Sequence, residues 1–259
     1  MIDFSDKAAV ITGGGSGLGE ATARKICGLG GRVTLVDIDD ESLTRVATDL
    51  GGDKALTVHA DISDEDAMKN VYAETEKRWG RCDAVFANAG INGVWAPLGE
   101  LELSEWQKTI HNNLTGTFLT VKHALPLLKK RGGAVVITAS VNGTRIFSNT
   151  GATAYSTSKA GQLGFMQMIA LELAQFKIRV NAICPGSIQT SINETTEARD
   201  LDEVKEPAEY PEGRIPLTDG EPGSPEQVAN LVSFLLSDAA GHITGTPLWI
   251  DGAESLLQG

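Results

Sequence analysis

Short runs of β-branched and small apolar residues alternate with longer helical patterns along almost the whole chain. The strand-like runs lie at 7–12, 32–36, 54–60, 82–87, 133–139, 178–183 and 247–250. Helical periodicity fills the intervals at 17–29, 40–50, 64–79, 104–131, 153–175 and 225–237. Alternation of this kind predicts βαβ units, in which each crossover helix returns the chain to a parallel neighbouring strand. The runs Ala8-Ala9-Val10-Ile11 and Ala134-Val135-Val136-Ile137 are apolar at every position. A strand with one wet face would alternate, so these strands are expected to be covered on both sides. The predicted class is α/β, a doubly wound Rossmann fold with a parallel sheet of about seven strands and helices on both faces. The 259 residues suit one such unit, and no repeat or linker divides residues 1–259.

Residues 191–222 break the rhythm. They are rich in acids, from Glu194 and Glu197 through Glu206, Glu209 and Glu212 to Glu221, and carry Pro207, Pro211, Pro216 and Pro222. A polar excursion of that length is either disordered or a functional lid. It follows the C-terminal end of a strand, where ligands of open parallel sheets bind, so a lid is the favoured reading.

Charge and cysteine usage narrow the partners. The balance of 22 basic to 34 acidic residues gives a net charge of −12. Such a surface repels nucleic acid, and no basic run exceeds Lys129-Lys130-Arg131. Cys27, Cys82 and Cys184 are odd in number and far apart, which argues against a disulfide framework or zinc site and for a reducing cytoplasm. His59, His111, His123 and His242 have no metal-ligand spacing, so no metal is expected. The first strand-like run begins within a few residues, so no signal peptide is expected, and no run reaches the ~20 apolar residues of a membrane span. Asn113-Leu114-Thr115 and Asn142-Gly143-Thr144 match the glycosylation pattern only by chance if the chain is not secreted.

Two constellations carry chemistry. The first strand runs into Thr12-Gly13-Gly14-Gly15-Ser16-Gly17-Leu18-Gly19 and then a helix. Gly13, Gly17 and Gly19, with Ser16 and Leu18 between them, would let the backbone turn sharply against a pyrophosphate at the positive helix N-terminus. The second strand ends at Asp37, about 20 residues further on, where an acid accepts the two hydroxyls of an adenosine ribose and repels a 2′-phosphate. The alternative role for Asp37, a helix cap, can be filled by Asp39 or Asp40. Together these features point to NAD. In the second constellation, Tyr155 and Lys159 lie four apart at the start of helix 153–175 and so share a face. A cation ~4 Å from the phenol, at an effective dielectric of ~20, favours phenolate by ~4 kcal/mol and would bring the tyrosine toward neutrality as an acid and base. Alone, Tyr-x-x-x-Lys is a common accident.

In combination it is not. Thr12–Gly19, Asn88-Ala89-Gly90, Asn113, Ser140, Tyr155, Lys159 and Pro185-Gly186 occur in this order at spacings that resemble the short-chain dehydrogenase/reductase family, in its short single-domain branch, over residues 4 to 252. The resemblance implies that Tyr155 is the general acid in reduction and general base in oxidation. It makes Lys159 the residue that lowers the pKa of Tyr155 and holds the nicotinamide ribose, Ser140 the hydrogen-bond partner of the reacting oxygen, and Asn113 the holder of a relay water. It further implies that Asn88, Ala89 and Gly90 steady the sheet beside the cofactor, that Asp61 and Ile62 contact adenine, and that Pro185, Gly186, Ile188 and Thr190 flank the carboxamide. The Ser140–Tyr155 interval is longer than usual for the family, so loop 141–152 is expected to bulge, with Asn142 and Phe147 as candidate substrate contacts. Trp95 is a candidate pocket wall. A homotetramer is implied, with helices 104–131 and 153–175 pairing with their symmetry mates. Phe165, Met166, Met168 and Ile169 make that helix more apolar than one buried face needs.

The expected activity is NAD-dependent interconversion of a small secondary alcohol and a ketone. A 3-oxoacyl-thioester reductase is the nearer alternative, disfavoured by the negative charge, which would repel an acidic carrier protein, and by Asp37. A non-catalytic NAD-binding regulator is the more distant one, weakened by the intact Ser140, Tyr155 and Lys159 set. A sugar-nucleotide epimerase would need a larger substrate region.

Overall fold

The computed structural model describes residues 2–204 and 215–258. The first half runs β1 (Ala8–Thr12), α1 (Gly17–Gly28), β2 (Arg32–Asp37), α2 (Asp40–Leu50), β3 (Ala55–His59), α3 (Glu65–Trp79), β4 (Ala84–Ala87), β5 (Gly93–Trp95), α4 (Leu103–Ile110) and α5 (Gly116–Leu128). The second runs β6 (Gly133–Thr138), α6 (Thr153–Ala174), β7 (Ile178–Pro185), β8 (Thr196–Ala198), α7 (Pro225–Leu236), β9 (Pro247–Ile250) and α8 (Glu254–Gln258). Seven strands form one sheet in the order β3-β2-β1-β4-β6-β7-β9, every neighbouring pair parallel. The doubly wound class expected from the sequence is the fold observed.

Each long strand is apolar on both faces because each face has its own core. Val10, Val36, Val85, Val135 and Ile137 pack with α3, α5 and α6 through Met68, Val71, Leu119 and Met166. Ile11, Leu35, Phe86 and Val136 pack on the other side with α1, α2 and α7 through Ala23, Ile26, Leu43, Val228 and Val232. Helix starts follow local chemistry: Asp39, Asp64 and Ser224 accept first-turn N–H groups of α2, α3 and α7. Ser16 makes no such side-chain bond to α1.

Two expectations needed correction. The predicted helix 104–131 is interrupted: α4 and α5 are joined by a π-helical turn, His111–Thr115. This widened turn brings Asn113 fully into the interior, and π-bulges recur at functional sites. Met166, which the sequence suggested for a subunit interface, is wholly buried in the chain's own core, whereas Met168 and Leu171 are 76% and 84% exposed. A small parallel pair, β5 with β8, also went unread. It ties the loop after β4 to the excursion after β7, and three residues are too few for periodicity to reveal. Of the expected lid 191–222, residues 205–214 lie outside the described residues. Its two ends are stapled by Gly223 N–H to the Ser187 carbonyl (3.0 Å) and Gln189 N–H to the Gly223 carbonyl (2.9 Å). Among the described residues no helix is long and apolar enough to cross a membrane.

The chain leaves β1 toward β2 and β3 on one side, then returns to β4 on the other, so β1 and β4 diverge at their C-terminal ends. One side chain from each of three strand ends closes this junction. Thr12 Oγ1 accepts the N–H groups of Asn88 (2.9 Å) and Ala89 (3.1 Å), Asn88 Nδ2 donates to the Thr12 carbonyl (3.1 Å), and Thr138 Oγ1 donates to Asn88 Oδ1 (3.1 Å). Thr12→Val keeps the shape but leaves two N–H groups without their acceptor, at ~1–3 kcal/mol each. The expected result is a urea midpoint lowered by the equivalent of ~2 kcal/mol or more. An unchanged midpoint would show that the hydroxyl is dispensable.

Candidate active site

A cavity of about 620 Å³ opens above the switch point, at the C-terminal ends of β1, β2, β4, β6 and β7. Its floor is built from the residues singled out in the sequence. Gly13, Ser16, Gly17 and Leu18 come from the first turn, Asp37 from β2, and Asp61 and Ile62 from the end of β3. Asn88, Ala89 and Gly90 follow β4, and Pro185, Gly186, Ile188 and Thr190 end or follow β7. Gly19 does not line the cavity. It lies against the Gly13 carbonyl so closely that no Cβ would fit, so its part is to let the turn fold back on α1.

The turn is shaped to face a ligand. Gly13 and Gly17 have φ of +66° and +51°, a region that disfavours any side chain. The first N–H groups of α1 point from this turn without a side-chain acceptor, in contrast to α2, α3 and α7. Backbone donors at the positive end of a helix suit a pyrophosphate. Asp37 is free for a ligand because Asp39 is the cap, accepting from Glu41 and Ser42 N–H at 3.1 and 3.3 Å. The Asp37 carboxylate instead accepts from Gly15 N–H at 3.1 Å and Ile38 N–H at 2.8 Å and lines the cavity. These residues fit a dinucleotide.

At the other end, Ser140, Tyr155 and Lys159 share one stretch of wall. Ser140, just past β6, accepts the Asn142 N–H at 3.2 Å through Oγ, which leaves its own O–H available to donate. Gly143 lets this turn press on α6: a Cβ there would lie 2.7 Å from the Ala160 nitrogen. Lys159 is 2% exposed, and its Nζ donates to the Thr138 carbonyl at 2.8 Å. Burial lowers its pKa to about 8. Burial also raises the Tyr155 phenol above its ordinary value, and the Ser140 hydroxyl offsets part of the rise. The lysine nitrogen stands 5.5 Å from the tyrosine ring centre. The expectation that Lys159 brings Tyr155 toward neutrality is therefore not met in this arrangement, because desolvation dominates both groups and the ammonium points to a carbonyl.

Asn113 sits one layer deeper. Its Nδ2 donates to the Ile91 carbonyl (2.9 Å) and Ser158 Oγ (3.0 Å), and its Oδ1 accepts Ile91 N–H (2.8 Å). Its own carbonyl accepts from Thr117 Oγ1 (2.7 Å) and Gln162 Nε2 (2.9 Å). The adjacent Asn112, not Asn113, reaches the cavity wall. Asn113 thus ties the loop after β4 to α6, and its link to Lys159 runs through Gly90, whose absent Cβ would lie 3.0 Å from Asn113 Oδ1 and 3.6 Å from Lys159 Nζ.

The substrate end is only partly as expected. Trp95 and Asn142 line the cavity. Phe147 does not: it is 70% exposed, and its neighbour Ile146, 2% exposed, takes the wall position instead. Loop 141–152 carries Ile146 and Asn149 to the cavity. It closes on Gly151, at φ +79°, against the backbone of Trp95 and Ala96. Asn92, Asn149, Ile192, Thr195 and Glu254 are also on the wall. Ile192 and Thr195 fall in the expected lid and Asn149 in the expected substrate loop, while no motif marks Asn92 or Glu254.

The buried ammonium has a thermodynamic signature. Between pH ~8 and ~10.5 the unfolded chain keeps a proton on Lys159 that the folded chain has released, so this group makes stability rise with pH across that window. That displacement corresponds to about 3 kcal/mol. The parent protein should therefore gain stability relative to Lys159→Met as pH rises from 8 to 10.5, measured by denaturant unfolding. A difference independent of pH would contradict the burial argument.

Residues 13–253 match a family described as enoyl-(acyl carrier protein) reductase. Levodione reductase of Leifsonia aquatica is 36% identical over 97% of this chain and 95% of its own length. The crystal structure of a 3-ketoacyl-ACP reductase from Sinorhizobium meliloti 1021 is similar at TM-score 0.91 and 46% identity, covering 96% of this chain and 99% of that one. A 3-ketoacyl-(acyl-carrier-protein) reductase from Brucella melitensis, solved with NADH, has TM-score 0.86 and 29% identity over 97% and 99% of the two chains. Matches of this identity and length leave one conclusion: the chain is an oxidoreductase homologue and belongs to the short-chain dehydrogenase/reductase family.

Proposed function

We propose that the protein interconverts a secondary alcohol and a ketone with NAD. The observation that carries this reading is a single cavity with Asp37 at one end and Ser140, Tyr155 and Lys159 at the other. The dinucleotide, when bound, supplies the hydride donor or acceptor. Tyr155 Oη gives a proton to the carbonyl oxygen in reduction and takes it from the hydroxyl in oxidation. Burial holds the phenol protonated, which suits the reductive direction. Ser140 donates its free O–H to the same oxygen and so fixes the carbonyl between two donors. Lys159, held by the Thr138 carbonyl and charged below about 8, is the residue that would hold the nicotinamide ribose. Asn113 holds the loop and helix that carry these groups, and residues 191–222 act as the lid, contributing Ile192 and Thr195 to the wall.

The 46% identity to a 3-ketoacyl-ACP reductase sustains a second reading, reduction of a 3-oxoacyl thioester. The net charge of −12 disfavours docking of an acidic carrier. Cofactor preference alone does not separate the two readings, since a protein titled 3-ketoacyl-(acyl-carrier-protein) reductase was solved with NADH. A panel of cyclic, aromatic, polyol and steroid ketones and alcohols, run beside a 3-oxoacyl thioester and read by nicotinamide absorbance, does separate them. Turnover of the thioester alone would replace the first reading with the second, and no turnover at all would revive a binding-only role.

Three outcomes are expected. Tyr155→Phe removes the transferable proton while keeping the ring, so turnover should fall by ~10²-fold or more with NAD affinity retained. Near-parental turnover would remove Tyr155 from this role. Wild-type protein should prefer NAD over NADP by ~100-fold or more, since each unit of like charge at ~4 Å and effective dielectric ~20 costs ~4 kcal/mol before screening. Replacing Asp37 with Ser and Ile38, which is exposed beside it, with Arg should move the ratio of catalytic efficiencies toward NADP. A parental ratio near one would mean that Asp37 does not meet the ribose. Finally, the exposed Phe118, Met168 and Leu171 on α5 and α6 are proposed to pair between subunits of a homotetramer, which light scattering would read as four chain masses. A monomer would refute it.

A further inference from the structure

A chain of charges grips the glycine-rich turn from outside the cavity, and none of the chemistry above uses it. Arg45, on α2, donates through Nη2 to the Gly15 carbonyl at 2.9 Å. The same guanidinium forks onto Glu20 of α1, Nη1 to Oε1 at 2.9 Å and Nη2 to Oε2 at 2.7 Å. Glu20 also accepts two bonds from Arg24, which reaches on to Asp49 at 2.7 Å. The Arg45 hydrogen bond, then Arg24, holds the Glu20 carboxyl below the usual carboxylate range.

Exposed ion pairs contribute little by themselves, ~0–1 kcal/mol, so this network is poorly explained as a device for global stability. What sets it apart is where it ends. Gly15 gives its N–H to Asp37 Oδ2 at 3.1 Å while its carbonyl is held by Arg45. A Cβ on Gly15 would lie 2.9 Å from Ser42 Cβ and 3.1 Å from Asp37 Oδ2. Residue 15 is thus wedged between α2 and the end of β2, with both backbone polar groups committed to the walls of that wedge. The network fixes the turn and, through it, the carboxylate at the end of β2. It also places a guanidinium on the far side of Gly15 from Asp37, with three of its N–H groups engaged by Gly15 and Glu20 and its charge met by Glu20. A fork geometry that spans a carbonyl and a carboxylate is available to arginine and not to lysine.

We propose that Arg45 and Glu20 form a cofactor-selectivity clamp. Arg45 is a positioning residue that sets Gly15 and Asp37 for a ribose diol, and Glu20 keeps Arg45 from acting as a cation for a 2′-phosphate. The clamp rests on the dinucleotide reading above and adds to it two residues outside the cavity, whose lining holds no cation other than Lys159 among the described residues. Like charge at Asp37 repels NADP, and Glu20 denies it the neighbouring compensation.

The test is direct binding of NAD and NADP to the full chain by titration calorimetry, with thermal unfolding as a check on folding. Wild type should bind NAD. Arg45→Met should raise the NAD Kd about fivefold, about 1 kcal/mol, with kcat at saturating NAD unchanged, and Arg45→Lys should fail to restore it. Glu20→Gln should lower the ratio of NADP to NAD Kd about tenfold by freeing the guanidinium. That gain should vanish in the Glu20→Gln, Arg45→Met double variant, which a merely structural role would not produce. An unchanged NAD Kd in Arg45→Met, or an unchanged ratio in Glu20→Gln, overturns the clamp while leaving the dinucleotide reading in place. Wild-type protein that binds neither nucleotide overturns both.

Discussion

The structure depends on a hydrogen-bond junction where three parallel strands end. A doubly wound sheet has to separate β1 from β4 at their C-terminal ends, and the backbone groups exposed there have no ladder partner. Asn88 and Thr12 satisfy each other across that gap, and Thr138 extends the bond to β6. Thr138 also accepts the ammonium of Lys159 through its carbonyl. The candidate chemistry is therefore hung from the same few atoms that hold the switch point closed. Gly13 completes the arrangement, since a Cβ there would lie 2.9 Å from Asn88 Nδ2. The cleft, the glycine turn and the lysine are consequences of one local solution to an unsatisfied backbone.

Burial then decides the electrostatics. A lysine and a tyrosine four residues apart on one helix face look, in sequence, like a cation lowering a phenol. In the folded chain both are sealed from water, and each is pushed toward its neutral form. Burial keeps the phenol protonated and so able to give a proton, while Lys159, at about 8, still carries its charge at neutral pH. Desolvation is the first cause of both displacements, and the Thr138 carbonyl accepts from the Lys159 ammonium.

The parts that were legible in sequence are those governed by backbone periodicity or by a residue with no substitute. All seven sheet strands follow from apolar runs, Gly13 and Asp37 from their spacing to the first two strands, Tyr155 and Lys159 from four-residue helical spacing, and Asn88 and Ser140 from the family resemblance. Asp37 could be separated from a capping role in advance because Asp39 stood two residues later, and the cap is indeed Asp39. What remained hidden was set by tertiary contact. The π-turn at Asn113 has no periodic signature, since it shifts the helix by a single residue. Phe147 was favoured for its size, but Ile146 is the side chain turned inward, and the choice between adjacent loop residues depends on where Gly151 docks on Trp95. The pairing of β5 with β8 is equally contextual, three residues from each of two loops.

That small sheet bears on how selectivity arises at the substrate end. Trp95 is fixed by β5–β8 pairing and by the Arg199 N–H bond to its carbonyl (2.9 Å), while the Arg199 guanidinium holds Glu105 at the start of α4 (2.7 Å) and the Glu100 carbonyl. Two bonds from that guanidinium keep the Glu105 carboxyl low, at about 2. The wall facing the reacting groups is otherwise made of Asn92, Asn142, Asn149, Ile146, Ile192 and Thr195. Neutral amide and apolar groups set on an anchored frame discriminate by shape and by hydrogen bonds to neutral oxygen, since they offer nothing to neutralise a charged substrate. Glu254, also on the lining, is engaged by the Ser187 N–H at 2.9 Å and adds negative rather than positive charge. Among the described residues Lys159 is the one cation on the lining, and the carboxylates there add negative charge.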